Sequence, residues 1–205
     1  MGTGQPPTDT PRVRRRPQWA LALILVVVVV IVAVTAGHAK TTAKAAPGLS
    51  TVAHVDKCPA SDHSQAEAAM SGKRTQEGGS QFVPSGATSL LLCRYNGLKD
   101  PPPIDVPGKP AFGLVASATV HSRASIATIT GGLNAIKIQP PNAVFNCPAD
   151  FGRYLFAYFG YPSGRDYAYA IDIDGCQTIT SGKVYRMGLD AAILGRLLAP
   201  VPVRT

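Results

Sequence analysis

The pattern of apolar and polar residues changes in character after about the first forty residues. One uninterrupted apolar run covers residues 19–37 and contains no charged side chain. A helix of that length spans roughly 28 Å, close to the hydrocarbon thickness of a bilayer. Trp19 lies where an interfacial aromatic is typical, and four arginines precede it. The pattern therefore predicts one transmembrane helix over residues 18–37.

Beyond residue 57 the pattern is that of a folded domain built from short strands and two helices. Helices are predicted over residues 122–136, where apolar residues recur at helical spacing, and over residues 189–198. Aromatic and β-branched runs between turn residues predict strands over residues 89–96, 111–120, 153–159, 167–173, 176–180 and 183–186. Strands joined mostly by hairpins and grouped with two helices predict an α+β fold with an antiparallel sheet of about four to six strands.

Composition divides the rest of the chain into connecting segments. The Pro- and Arg-rich residues 1–17 are expected to form a disordered cytoplasmic tail, and the Ala-, Thr- and Lys-rich residues 38–56 a flexible stalk. The folded domain is expected over residues 57–199, followed by a short tail over residues 200–205. Because arginines precede the apolar run, the positive-inside rule places the N-terminus in the cytoplasm and the C-terminal domain outside the cell membrane.

A cleaved signal peptide is the alternative interpretation of the apolar run. The small residues in Val34-Thr35-Ala36 resemble a cleavage site. The run is long for a signal peptide, whose apolar core has roughly 7–15 residues, which favours an uncleaved anchor. Both interpretations export everything after residue 40.

The cysteines support export independently of the apolar run. All four follow it, and an even number on the exported side is typical of disulfides. There is no C-x-x-C pair to indicate redox or zinc chemistry. Of the three connectivities, we favour Cys58–Cys93 and Cys147–Cys176, because the second pair flanks a predicted hairpin.

The charge distribution gives no indication of nucleic-acid binding. The formal net charge is +8, from 20 Lys and Arg against 12 Asp and Glu. Four of the arginines and one aspartate precede the apolar run, and the other charges are spread along the chain after it, whereas a nucleic-acid interface needs clustered basic residues. The expected partners are the membrane and an envelope protein or glycan, and no nucleic acid.

No catalytic, cofactor or metal signature is apparent, so no such residue or group is expected. Asp172 and Asp174 resemble the start of a calcium loop, but the remaining ligands of such a loop are missing. Ser163 is one place late for a nucleophile elbow. The histidines are scattered; His54 falls in the predicted stalk, and His121 at a strand-to-helix junction is expected to be a polar surface residue.

Aromatic residues of the clearest hairpin are the one candidate binding face. Tyr154, Phe156 and Tyr158 share one face of their strand, and Tyr167 and Tyr169 share a face of the next. Aligned across the hairpin, they would expose a platform for a glycan or peptide. The alternative is that one side packs in the core while the other is ordinary surface.

Three short motifs resemble uncharacterised exported proteins of high-GC actinobacteria. They are the Cys-Arg-Tyr strand at residues 91–95 after a Val-Pro turn, the Cys-Pro-x-Asp element at residues 145–150, and residues 175–179. The resemblance covers nearly the whole predicted domain. Since that family has no assigned activity, the resemblance implies export without identifying a functional residue.

Together these observations predict a membrane-tethered extracytoplasmic domain. A non-enzymatic binding or accessory module of the cell envelope is the favoured function. The alternative is an envelope hydrolase with an unrecognised site. Clustering of His121 or Asp150 with other polar groups in a deep pocket would favour the hydrolase, and an open surface without such a pocket would favour binding.

Overall fold

Seven antiparallel strands and two helices make up the part of the chain that the computed structural model describes. That part comprises residues 45–61, 81–98, 106, 108–140 and 143–202, all within the unit Thr42–Thr205. The predicted cytoplasmic tail and transmembrane helix lie outside it. Within it, neither helix has the length and apolar character needed to cross a bilayer.

The elements confirm the predicted α+β class. The strands are β1 Thr51–Ala53, β2 Ser89–Tyr95, β3 Leu114–Val120, β4 Tyr154–Gly160, β5 Arg165–Asp172, β6 Ile179–Ser181 and β7 Val184–Arg186. The helices are α1 Arg123–Ala135 and α2 Ala191–Leu198. Strands β2 to β7 and both helices correspond to predicted elements, whereas β1 was not predicted.

The sheet has the order β3-β2-β4-β5-β6-β7, with β1 joined to β5. On one side, β5 pairs with β4 along most of the length of β5. On the other edge, β1 pairs with Arg165–Tyr167 and β6 pairs with Ala170 and Ile171. Two short strands therefore share that edge end to end.

The prediction of a flexible stalk over residues 38–56 is wrong for residues 45–56, the part of this range that the structure describes. Ala46 is buried, and its N–H donates to the Gln81 carbonyl over 3.0 Å. Strand β1 comes next along the chain and joins the sheet. At the other end, Val201, expected in the tail, is fully buried. Composition misled here, because small and polar residues dominate a segment in which only a few apolar side chains contact the core.

Each face of the sheet is covered by a different part of the chain. Both helices pack on one face, which we call the helical face; Ile126, Ile129 and Leu133 of α1 and Leu197 of α2 are buried there. The opposite face carries a smaller cluster around Cys93, Phe156 and Tyr158. Residues 54–61 cross that face; we call this segment the strap and the surface beneath it the strap face.

The two disulfides are the predicted pairs. Cys147–Cys176 has a Cα–Cα distance of 4.8 Å. Cys58–Cys93, at 5.6 Å, links the strap to strand β2, the neighbour of the edge strand β3. Near it, the Tyr95 hydroxyl donates to the Pro59 carbonyl over 2.9 Å, and the Leu114 N–H donates to the Ala60 carbonyl over 3.0 Å. The strap is therefore attached to the sheet by one covalent bond and by hydrogen bonds on both β2 and β3.

The two neighbouring glycines of α1 provide a test of the helix packing. A Cβ at Gly132 would lie 2.3 Å from Ile193 Cδ1 of α2, whereas one at Gly131 would meet nothing within 4 Å. We expect Gly131→Ala to raise the free energy of unfolding by up to about 1 kcal/mol through helix propensity. Gly132→Ala should lower it by roughly 1–3 kcal/mol through overpacking. Urea unfolding of the two variants measures the difference, and equal gains would contradict this helix contact.

Candidate functional site

One row of residues crosses the end of the sheet from β2 to β5. Ser89 begins β2 and pairs with Gly160 on β4, and Gly160 pairs with Asp166 on β5. His121 directly follows Val120, the residue of β3 that pairs with Leu90. It therefore extends the row by one position beyond the last β2–β3 pair.

The next row supplies the floor of a depression on the same face. Leu91 pairs with Thr119 on one side and with Tyr158 on the other. Because side chains two apart on a strand share a face, both rows lie on the strap face. Leu91 and Tyr158 are 6% and 3% exposed, so only a narrow apolar strip of the floor is open.

The strap completes a pocket of about 200 Å³ over these two rows. It contributes His54, Val55 and Asp56 to one wall. We call this cavity the histidine pocket; the polar residues lining it are His54, Asp56, Ser89, Thr119, His121 and Asp166, and the others are the apolar Val55 and Leu91 and the largely buried aromatic Tyr158. Residues separated by more than a hundred positions thus meet at one end of the sheet.

The buried carboxylate of Asp166 fixes the strap wall of the pocket. Its side chain is only 2% exposed. Oδ1 accepts a hydrogen bond from His54 Nδ1 over 2.9 Å, and Oδ2 accepts one from the Val55 N–H over 2.9 Å. An ionised carboxylate only accepts, so the proton of this pair lies on His54 Nδ1. Both oxygens of Asp166 therefore hold the strap, and the imidazole has a fixed orientation.

The other nitrogen of His54 lies beside a second, exposed carboxylate. His54 Nε2 lies 3.2 Å from Asp56 Oδ1, whose side chain is 83% exposed. The hydrogen bond to Asp166 and the negative charges of Asp166 and Asp56 raise the pKa of His54 above 6.5. The imidazole can therefore be protonated near neutral pH.

Space in the pocket depends on the absence of a side chain at Gly160. A Cβ there would lie 2.3 Å from Ser89 Oγ, 3.3 Å from Asp166 Oδ1 and 3.6 Å from His54 Cε1. The hydroxyl, the carboxylate and the imidazole therefore converge on one glycine.

The five aromatic residues predicted as a binding face do not share a surface. Strand alternation places Tyr154, Phe156 and Tyr158 on the strap face and Tyr167 and Tyr169 on the helical face. Phe156, Tyr158 and Tyr169 are buried. The predicted binding face is therefore wrong, and the reason is the register of β4 and β5. Tyr167 pairs with Phe159 and Tyr169 pairs with Ala157, so neither tyrosine lies opposite Tyr154, Phe156 or Tyr158.

The acidic residues around Gly175 form a turn. Asp172 Oδ1 accepts from the Asp174 N–H over 3.0 Å, and Arg153 Nε donates to Asp174 Oδ2 over 2.9 Å. Burial, together with the charge of Asp150, raises the pKa of Asp172 to about 7. Across the ranges that the structure describes, there is no group of three or more His, Cys, Asp or Glu side chains suited to a metal ion.

The remaining candidates fall into three places. Ser163 lies in the β4–β5 turn, where the Gly164 N–H donates to the Tyr161 carbonyl over 3.0 Å. His38 and His63 lie outside the described residues. His54 and His121, which were expected in a stalk and on a plain surface, are the two that meet in the pocket. No local motif indicates this meeting; the one sequence signal is the alternation that places Ser89 and Leu91 on the same face of β2.

The chain matches no family model, no curated protein and no solved structure.

The His54–Asp166 pair should make stability depend on pH. Because the folded-state pKa of His54 is raised, its stabilisation is fully present below about pH 6.5 and is lost as the pH rises through the raised value. We expect the free energy of unfolding to fall over this window and to fall less in His54→Gln. Urea unfolding between about pH 5.5 and 8.5 measures both curves.

The raised pKa of Asp172 contributes a loss of stability with rising pH as well, in both proteins. The difference between the two curves therefore gives the contribution of His54 to the pH dependence of stability. Parallel curves for wild type and His54→Gln would contradict the pairing with Asp166.

Proposed function

We propose that this chain is a membrane-tethered domain, displayed outside the cytoplasm, that binds a small polar ligand in the histidine pocket. The observation that carries the proposal is the convergence of six polar side chains on one cavity, from the strap, from strands β2, β3 and β5, and from His121 just after β3. Apolar floors with a few oriented polar groups are typical of small-molecule sites.

The structure of the pocket supports binding because its walls are oriented before a ligand arrives. Asp166 holds His54 and the strap backbone through both of its oxygens. The Cys58–Cys93 disulfide and the Tyr95–Pro59 hydrogen bond attach the strap further along. A wall that is already ordered loses less conformational entropy when a ligand binds.

The tether is supported by the sequence. The charge-free run over residues 19–37 is long enough to cross a bilayer, and its preceding arginines favour export of the domain on its C-terminal side. The two disulfides of the domain agree with an oxidising compartment. The pocket would then face the cell envelope.

An envelope hydrolase is the second candidate, and the Asp166–His54–Ser89 arrangement favours it. A buried carboxylate on Nδ1 with a serine nearby is the geometry of nucleophilic catalysis. The arrangement differs from a catalytic triad in two respects. His54 Nε2 lies next to Asp56 instead of next to a serine, and within the described residues Ser89 Oγ makes no hydrogen bond to His54. Binding is therefore the better supported of the two.

Binding can be tested with the full chain in lipid nanodiscs and a low-molecular-weight hydrolysate of cell envelopes. We expect the hydrolysate to shift the amide resonances of Ser89, Thr119 and Tyr158 in ¹H–¹⁵N spectra. Thr119→Ala should weaken the response at least about tenfold, because it removes a hydroxyl from the pocket. Ser117→Ala is the matched control, because Ser117 shares its strand and face with Thr119, is also exposed, and does not line the pocket.

Two results would contradict the binding proposal. One is an absence of shifts at the pocket, or equal shifts in both variants. The other is turnover of p-nitrophenyl acetate by the wild type that Ser89→Ala and His54→Gln abolish, which would replace binding with hydrolysis.

A further inference from the structure

We infer that the ligand of the histidine pocket is an uncharged, hydroxyl-bearing ring, such as one sugar residue of an envelope glycan. This inference rests on the proposed binding function and adds to it the chemical class of the ligand. Three properties of the pocket carry it: its volume, its charge and its complement of hydrogen-bonding groups.

The volume of the pocket suits one ring. The cavity of about 200 Å³ is smaller than the roughly 300–1,000 Å³ of sites for drug-sized molecules. At roughly 30 Å³ each, about seven waters would fill it. A single ring with its hydroxyl groups can displace such a cluster and replace its hydrogen bonds, and the open side lets the rest of a longer glycan remain in solvent.

The charges in the pocket disfavour an anion. Among the residues that line it there is no Lys or Arg, the usual partners of phosphate and carboxylate groups. An anion would instead approach the carboxylate of Asp56, whose side chain is 83% exposed. The chain's net charge of +8 therefore resides elsewhere.

A cationic amine is disfavoured as well. Both oxygens of Asp166 already accept hydrogen bonds, from His54 Nδ1 and from the Val55 N–H. The rim carboxylate of Asp56 faces His54 Nε2 at 3.2 Å. His54 thus already lies within hydrogen-bonding distance of both carboxylates, so neither is left without a partner for an ammonium group to satisfy.

The remaining groups suit a ligand that both donates and accepts hydrogen bonds. The hydroxyls of Ser89 and Thr119 can do either, and His121, two residues after Thr119, adds an imidazole to the lining. Leu91 and Tyr158 between them offer an apolar strip to the C–H groups of a ring. A saccharide combines these two features, because its ring carries closely spaced hydroxyl groups and also presents C–H groups.

The test uses the full chain in lipid nanodiscs and a panel of defined probes. Glucose, galactose, mannose, arabinose and N-acetylglucosamine are titrated and followed by the amide resonances of Thr119 and Tyr158. Charged counterparts with a carboxylate, phosphate or free amine are titrated in parallel. We expect at least one neutral sugar to bind with a Kd of about 1 mM and its charged counterparts at least tenfold more weakly.

Variants assign the binding to the pocket. Thr119→Ala should reduce the affinity for that sugar at least tenfold, and Ser117→Ala should leave it unchanged. Thr119 is exposed, so its replacement leaves the core intact. Ser89→Ala removes the second hydroxyl of the pocket and should weaken binding of the same sugar as well.

The outcomes separate the two proposals. Tighter binding of a charged counterpart, or shifts with the envelope hydrolysate but with no sugar of the panel, overturns the ligand class and leaves the binding function standing. An absence of pocket shifts with sugars and hydrolysate alike overturns both. Equal affinity in Thr119→Ala and wild type overturns the location of the site.

Discussion

The buried carboxylate of Asp166 is the interaction on which the rest of the strap face depends. Burying a charge is costly unless it is paired and hydrogen-bonded, and Asp166 meets this requirement with two donors from one segment, His54 Nδ1 and the Val55 N–H. The cost of leaving this carboxylate unpartnered favours placement of the strap against β5. The same two bonds orient the imidazole that lines the pocket.

The two faces of the sheet are stabilised by different physics. The helical face buries the larger apolar cluster beneath α1 and α2, so hydrophobic burial is the main driving force there. The strap face has a smaller cluster, beneath a segment without regular secondary structure. A disulfide, a buried carboxylate and a few hydrogen bonds hold that segment in place. The face with less apolar burial is the one that leaves a polar cavity open.

The parts of the fold with local signals could be predicted from sequence. Periodicity identified α1 and α2, short apolar and aromatic runs between turn residues identified β2 to β7, and the cysteine pairs agree with the structure. Strand β1 was missed because three residues carry too little alternation to stand out. The pocket was missed for a different reason: His54 and Asp166 are 112 positions apart, and only the pairing of β1 with β5 brings them together. The aromatic face failed because register assigns its two halves to opposite faces.

Hydrogen–deuterium exchange of the Val55 amide tests most directly whether Asp166 holds the strap that walls the pocket. We predict that this amide is protected in the wild type and exchanges at least about tenfold faster in Asp166→Ala, whose side chain cannot accept its hydrogen bond. The Ala168 amide, which donates to the Ser50 carbonyl over 3.1 Å, reports whether β1 remains paired. Fast exchange of Val55 in the wild type, or equal rates in the two proteins, would contradict this role of Asp166.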